Sequence, residues 1–176
     1  MRKLILSIVL VLTANTFFAQ SVFDKFDGLD DVTTVIVNKK MFTLLSKMDV
    51  KDKETQQYVN LIKKLDNLKV FVTQSDKRAD EMKATSDKYL KSAALDELMR
   101  INEKGKSVKI YVKSGATESQ IKELLMFIAG TGKEETVLMS LTGNFDLDEL
   151  SVLTDKMKLP GGDDLKKASK GSKGSK

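Results

Sequence analysis

Apolar residues recur along this chain with two spacings, and the spacing predicts most of the elements. "VTTVIV" (Val32 to Val37) is rich in β-branched side chains and predicts a strand. In "KKMFTLLSKM" the apolar positions Met41, Phe42, Leu45 and Met48 fall at helical spacing. Tyr58, Leu61, Ile62 and Leu65 follow the i, i+3, i+4, i+7 rule and predict a second helix. "LKVFVT" (Leu68 to Thr73) is again strand-like. A long charged helix then starts at a cap, Ser75 or Asp76, and runs to about Lys91, with Met82, Tyr89 and Leu90 facing inward.

Two readings fit "LDELMRINEKGKSVKIYVK". Leu95, Leu98 and Met99 can end the preceding helix. Alternatively "ELMRIN" pairs with "SVKIYVK" across an "EKGK" turn, with Val108, Ile110 and Val112 alternating, and the hairpin is the favoured reading. Leu124 to Ala129 is an unbroken apolar run bounded by glycine, and "TVLMSLT" after it is β-like, so a second hairpin explains the region, although the apolar run is also compatible with a helix. The "SQIKELL" stretch in front of it is compatible with a helix. "FDLDELSVLTDKM" predicts a closing helix capped by Asn144 or Asp146.

The ends of the chain differ from its middle. Arg2 and Lys3 precede "LILSIVLVL" (Leu4 to Leu12), and "TANTFFAQ" follows, which is the layout of a secretory signal peptide cleaved near Ala19 or Gln20. The apolar run is too short to span a bilayer comfortably, and no stretch after Gln20 is long enough. At the far end "GGDDLKKASKGSKGSK" (Gly161 to Lys176) has a composition typical of a disordered tail. The expected organisation is therefore a signal at 1–20, one domain at 21–160 and a basic tail at 161–176.

Charge follows the same division. The net charge of +5 resides in the signal, at +2, and the tail, at +3, leaving Ser21 to Pro160 balanced. A nucleic-acid binder concentrates Lys and Arg on a folded face, so none is expected as a partner. The tail lysines offer weak contact with an anionic surface.

Composition also removes whole classes of chemistry. No histidine is present, which eliminates Ser-His triads and the commonest general base. No cysteine is present, so thiol catalysis, disulfides and lipid attachment through a cysteine are excluded. "GTGKEET" resembles a phosphate loop, but Phe127 takes the place of its first glycine and Glu134 that of its hydroxyl residue. Glu134 and Glu135 would repel a phosphate, and a β-like run follows where a helix is needed. A turn explains it better.

Carboxylates remain. Asp24, Asp27, Asp30 and Asp31 form one cluster; Asp146, Asp148 and Glu149 form another. Neither matches a calcium loop, and the second suits a helix cap. No catalytic, cofactor or metal residue is assigned. Met41, Met48, Met82, Met99, Met126, Met139 and Met157 mostly sit beside leucine or phenylalanine, which suits core packing.

The segments "VTTVIVNKKMFTLL", "ELMRINEKGKSVKIYVK" and "ELLMFIAGTGKEETVLMSLTGNFDLDEL", behind a signal peptide, resemble the bacterial domain-of-unknown-function family 4252 over most of Asp31 to Thr154. The resemblance implies an exported envelope protein with a small α+β fold and no established activity. It also favours a strand at Leu124 to Ala129, and it carries over no site residues.

The expectation is an α+β, single two-layer domain. Its mixed, mostly antiparallel sheet has about five to six strands packed by about three to four helices. Functionally it is a periplasmic or secreted, non-enzymatic protein-binding module with an envelope protein as partner. The alternatives are a carboxylate-dependent hydrolase and a regulatory part of envelope-stress signalling.

Overall fold

In the computed structural model, which describes residues 22–47, 52–103, 105–117, 119–130, 132, 134–150, 152 and 160–171, the β-branched run forms β1 (Thr33–Asn38). Asn38 ends it by accepting a hydrogen bond from the Met41 N–H at 3.0 Å, capping helix α1 (Lys39–Leu45). Asp52 caps α2 (Lys53–Lys64) through the Thr55 N–H at 2.8 Å. The chain passes from α2 straight into β2 (Leu65–Thr73). Of the two cap candidates it is Ser75 that accepts from the Arg78 N–H, opening α3 (Asp76–Ala93). Four strands complete the sheet: β3 (Asp96–Glu103), β4 (Lys106–Ser114), β5 (Gln120–Gly130) and β6 (Thr136–Asp146).

The six strands lie in the order β1-β2-β6-β5-β4-β3, and every neighbouring pair is antiparallel. β3 to β6 form a meander that closes on β2, which leaves β1 and β3 as the two edges. The favoured hairpin stands: Glu103 pairs with Lys106, with Gly105 at φ +84° in the turn. β5 and β6 are likewise paired from Gln120–Asp146 to Ile128–Val137.

Side-chain alternation sends the inner strands β2, β4, β5 and β6 to two cores. Leu68 and Val70 of β2, Val108 and Ile110 of β4, Leu124 and Met126 of β5, and Met139 and Leu141 of β6 join Phe42 of α1 and Leu61 and Ile62 of α2. On the other face Phe71, Leu125, Phe127 and Leu138 join Met82 and Tyr89 of α3, with Phe23 and Phe26 from the segment before β1. The expected two layers thus extend to three. The run Leu124 to Phe127 is buried residue by residue because both faces of β5 are covered. Each of these fully buried Leu, Ile or Phe side chains contributes about 1.5–3 kcal/mol relative to exposure.

Two expectations need correction. "SQIKELL" is not helical, since β5 already begins at Gln120 and Ile121 is buried against the larger core. The tail is not featureless from Gly161 onward. Gly162–Gly171 forms α4, Leu165 is fully buried in the larger core, and buried Asp164 accepts from Lys106 at 2.6 Å. Leu165 and the Asp164–Lys106 pair help to anchor it, and contacts to partners so distant in sequence give no periodic signal. The region 1–21, with the proposed signal, lies outside the described residues.

Candidate interaction surface

The sequence clusters of acid do not converge on a site. Asp24 pairs with Lys69, a lysine of β2 buried beneath the N-terminal segment. Asp31 accepts two bonds from Arg78 Nε, at 2.9 and 3.1 Å, and that guanidinium holds its carboxyl below the ordinary range. Asp27 and Asp30 are exposed. In the second cluster Asp146 and Glu149 form a reciprocal capping box at the short 3-10 turn Leu147–Glu149, and Lys64 at the end of α2 donates to Glu149 at 2.8 Å. That pairing keeps the Lys64 ammonium protonated above its usual range. Asp148 is exposed beside it. Among the described residues no three metal-ligating side chains come together.

Nor does "GTGKEET" build a phosphate cradle. Gly132, at φ +71°, lies in the turn between β5 and β6, so a strand follows it instead of a helix N-terminus. Of the methionines, Met82, Met126 and Met139 are buried, Met99 is half-buried and Met41 is exposed; Met48 and Met157 lie outside the described residues.

Buried polar groups missed by sequence reasoning sit on the α3 face. Glu123 of β5 is 7% exposed and accepts from the Tyr89 hydroxyl at 2.6 Å. Burial pushes the Glu123 carboxyl above the ordinary carboxylate range, although the Tyr89 hydrogen bond opposes that shift. Tyr89 in turn rises well above the ordinary phenol range, chiefly through burial. Its ring stands edge-on to Phe23, with centroids 5.2 Å apart. The pair is enclosed by its own core, which suits a structural role. Nothing in the sequence around Glu123, within "KELLMFI", indicates a tyrosine opposite.

The distinctive surface is an edge of the sheet. Five large apolar side chains are exposed among the described residues, and four of them, Val35, Ile36, Met41 and Leu44, belong to β1 and α1. β1 is "TTVIVN", six residues without a charge, paired only with β2 among the described strands. The opposite edge, β3, is "DELMRINE", which carries Asp96, Glu97, Arg100 and Glu103 and a register shift between Glu97 and Met99. Charges and bulges are the devices that keep an edge from recruiting another strand. One edge has them and the other lacks them. Among the described residues, β1 therefore presents an edge with no further strand beside its apolar side chains, the arrangement that accepts an added strand.

Among the described residues no helix is long and apolar enough to cross a membrane. A family model described as Domain of unknown function (DUF4252) matches residues 26–153. No curated protein matches the chain, and neither does any solved structure.

Proposed function

Because the chain belongs to the DUF4252 family, a family defined without an activity, we propose from its own surface that it is an exported bacterial envelope protein that binds another protein through β1. The observation that carries this reading is the asymmetry of the two edges: β1 is uncharged and apolar, β3 charged and bulged. The occupant is an extended, uncharged segment of a second envelope protein, long enough to pair with the six residues Thr33–Asn38. Main-chain hydrogen bonds would supply affinity, and contacts to Val35, Ile36 and the neighbouring Met41 and Leu44 would supply selectivity.

Export is supported by Arg2, Lys3 and the apolar run Leu4 to Leu12. Cleavage near Ala19 or Gln20 lies ahead of Phe23, the first fully buried side chain among the described residues. The hydrolase alternative gains nothing from the carboxylates that suggested it, which are engaged as caps and ion pairs or are exposed at the surface.

The test is affinity capture of a tagged, exported copy beside its Val35→Lys and Ile36→Lys variants, followed by binding of the captured protein in purified form. The reading expects one recurrent partner that binds the parent and loses at least about tenfold in affinity to either variant. A partner that binds all three equally would sink it. A symmetric dimer of the chain, broken by the same variants, would replace the second protein with a second copy.

A further inference from the structure

Away from β1, a cavity of about 180 Å³ lies between α3 and the β4–β5 part of the sheet. Its body is apolar: Leu90 lines it from the helix, and Leu125 and Phe127 line it from β5. An apolar cavity of ~150 Å³ is enough to admit benzene. This one therefore has room for a single ring with about one or two small substituents.

The charges around the opening balance, which selects a neutral guest. Lys83 on α3 binds Asp87 at 2.7 Å and also interacts with Asp80. Lys109 on β4 acts on Glu97 of the adjoining β3, which accepts from Arg100 Nε at 3.0 Å and from the Tyr111 hydroxyl. Lys83, Lys109 and Arg100 thus answer Asp80, Asp87 and Glu97, and neither sign is in surplus. A charged guest would lose its hydration without meeting an unmatched counter-charge.

The hydroxyls narrow the class further. Ser86 Oγ donates to the Met82 carbonyl at 2.9 Å, Ser107 Oγ donates to Asn102 Oδ1 at 2.8 Å, and Tyr111 donates to Glu97; all three line the cavity. Each has committed its one hydrogen, and each oxygen can still accept. A guest that brings its own donor is matched by these oxygens, whereas a guest that brings only an acceptor is not. Ser86 matters most because it is 3% exposed, where water competes least for its oxygen.

We propose that this cavity binds a small neutral aromatic molecule with one hydrogen-bond donor, of the simple phenol class, its ring against Leu90, Leu125 and Phe127 and its donor directed to Ser86 Oγ. The site is independent of the β1 edge. The probe is para-cresol, and the control is para-xylene, in which a methyl group replaces the hydroxyl. Each is titrated into the purified protein and followed by NMR of the leucine methyls and the aromatic rings. Saturable shifts at Leu90, Leu125 and Phe127 are expected with para-cresol. Ser86→Ala, a change that a helix accepts readily, should weaken para-cresol about tenfold and should not weaken para-xylene. Ala129→Leu, which fills the cavity from β5, should abolish binding of both. Shifts that never saturate, a para-cresol affinity unchanged in Ser86→Ala, an equal loss of both ligands in that variant, or unchanged binding in Ala129→Leu would each overturn the assignment.

Discussion

Tyr89 of α3 donates its hydroxyl hydrogen to Glu123 of β5 at 2.6 Å, a bond that joins helix to sheet inside the smaller core. The folded protein holds the Glu123 proton more tightly than the unfolded chain does, because burial raises its carboxyl. Its contribution to stability is therefore complete below the ordinary carboxylate range and declines as pH rises through the folded value. Surface carboxylates such as Asp31 and Glu97 are shifted the other way by Arg78 and Arg100, so the informative quantity is a difference. Urea unfolding of the parent and Glu123→Gln from pH 4 to 8 should show the variant gaining relative stability as pH rises. A pH-independent difference would contradict the assignment.

Removing the donor has a distinct effect. Tyr89→Phe leaves the carboxylate buried without its hydrogen bond and should destabilise by about 1–3 kcal/mol at neutral pH. In the Glu123→Gln background the loss should shrink, a coupling that a double-mutant cycle measures.

Asp164 and Leu165 fasten α4 to the domain, one to Lys106 at the start of β4 and the other to the larger core. Leu165→Ala should cost about 2–5 kcal/mol, as for other fully buried leucines. Truncation at Pro160 should lower the thermal midpoint of the whole domain. An unchanged midpoint would return the segment to the tail that its composition suggested. Contact of the lysine-rich end with an anionic surface therefore needs a gentler test than truncation, namely Lys170, Lys173 and Lys176→Gln with vesicle binding at low salt.

Two backbone positions should respond in opposite directions. At Gly143 a Cβ would press on the Lys64 carbonyl and lie 2.9 Å from Leu65 Cα, where α2 turns into β2 beside β6. Gly143→Ala must displace backbone and should destabilise by about 1–3 kcal/mol. Ala94, closing α3, sits at φ +51°, a left-handed conformation that suits glycine. Ala94→Gly should stabilise by up to about 1 kcal/mol. Paired thermal or urea melts check both signs.

Much of the architecture is legible where a period is sustained. Val108, Ile110 and Val112 alternate and do face one core, and Leu61, Ile62 and Leu65 follow a helical stripe and are fully buried. The apolar run Leu124 to Ala129 held further information: strands covered on one face alternate, whereas this one does not, which is the mark of a sheet buried on both sides. Other features depended on partners distant in sequence. Nothing near Glu123 reveals Tyr89, nothing near Lys69 reveals Asp24, and nothing near Asp164 reveals Lys106. The exposed edge was legible in part, since an uncharged "TTVIV" is conspicuous in a chain with 31% charged residues, but only the strand order places it outermost.

The central claim is that β1 is the docking edge, and site-specific photo-crosslinking in cells tests it most directly. A photoreactive residue is placed singly at Val35 and Ile36 of β1 and at Leu98 and Arg100 of β3, with the chain exported as usual. The account predicts one heavy product, of a single composition by mass spectrometry, from the β1 positions and none from β3. Equal products from both edges, or products from β3 alone, would contradict it.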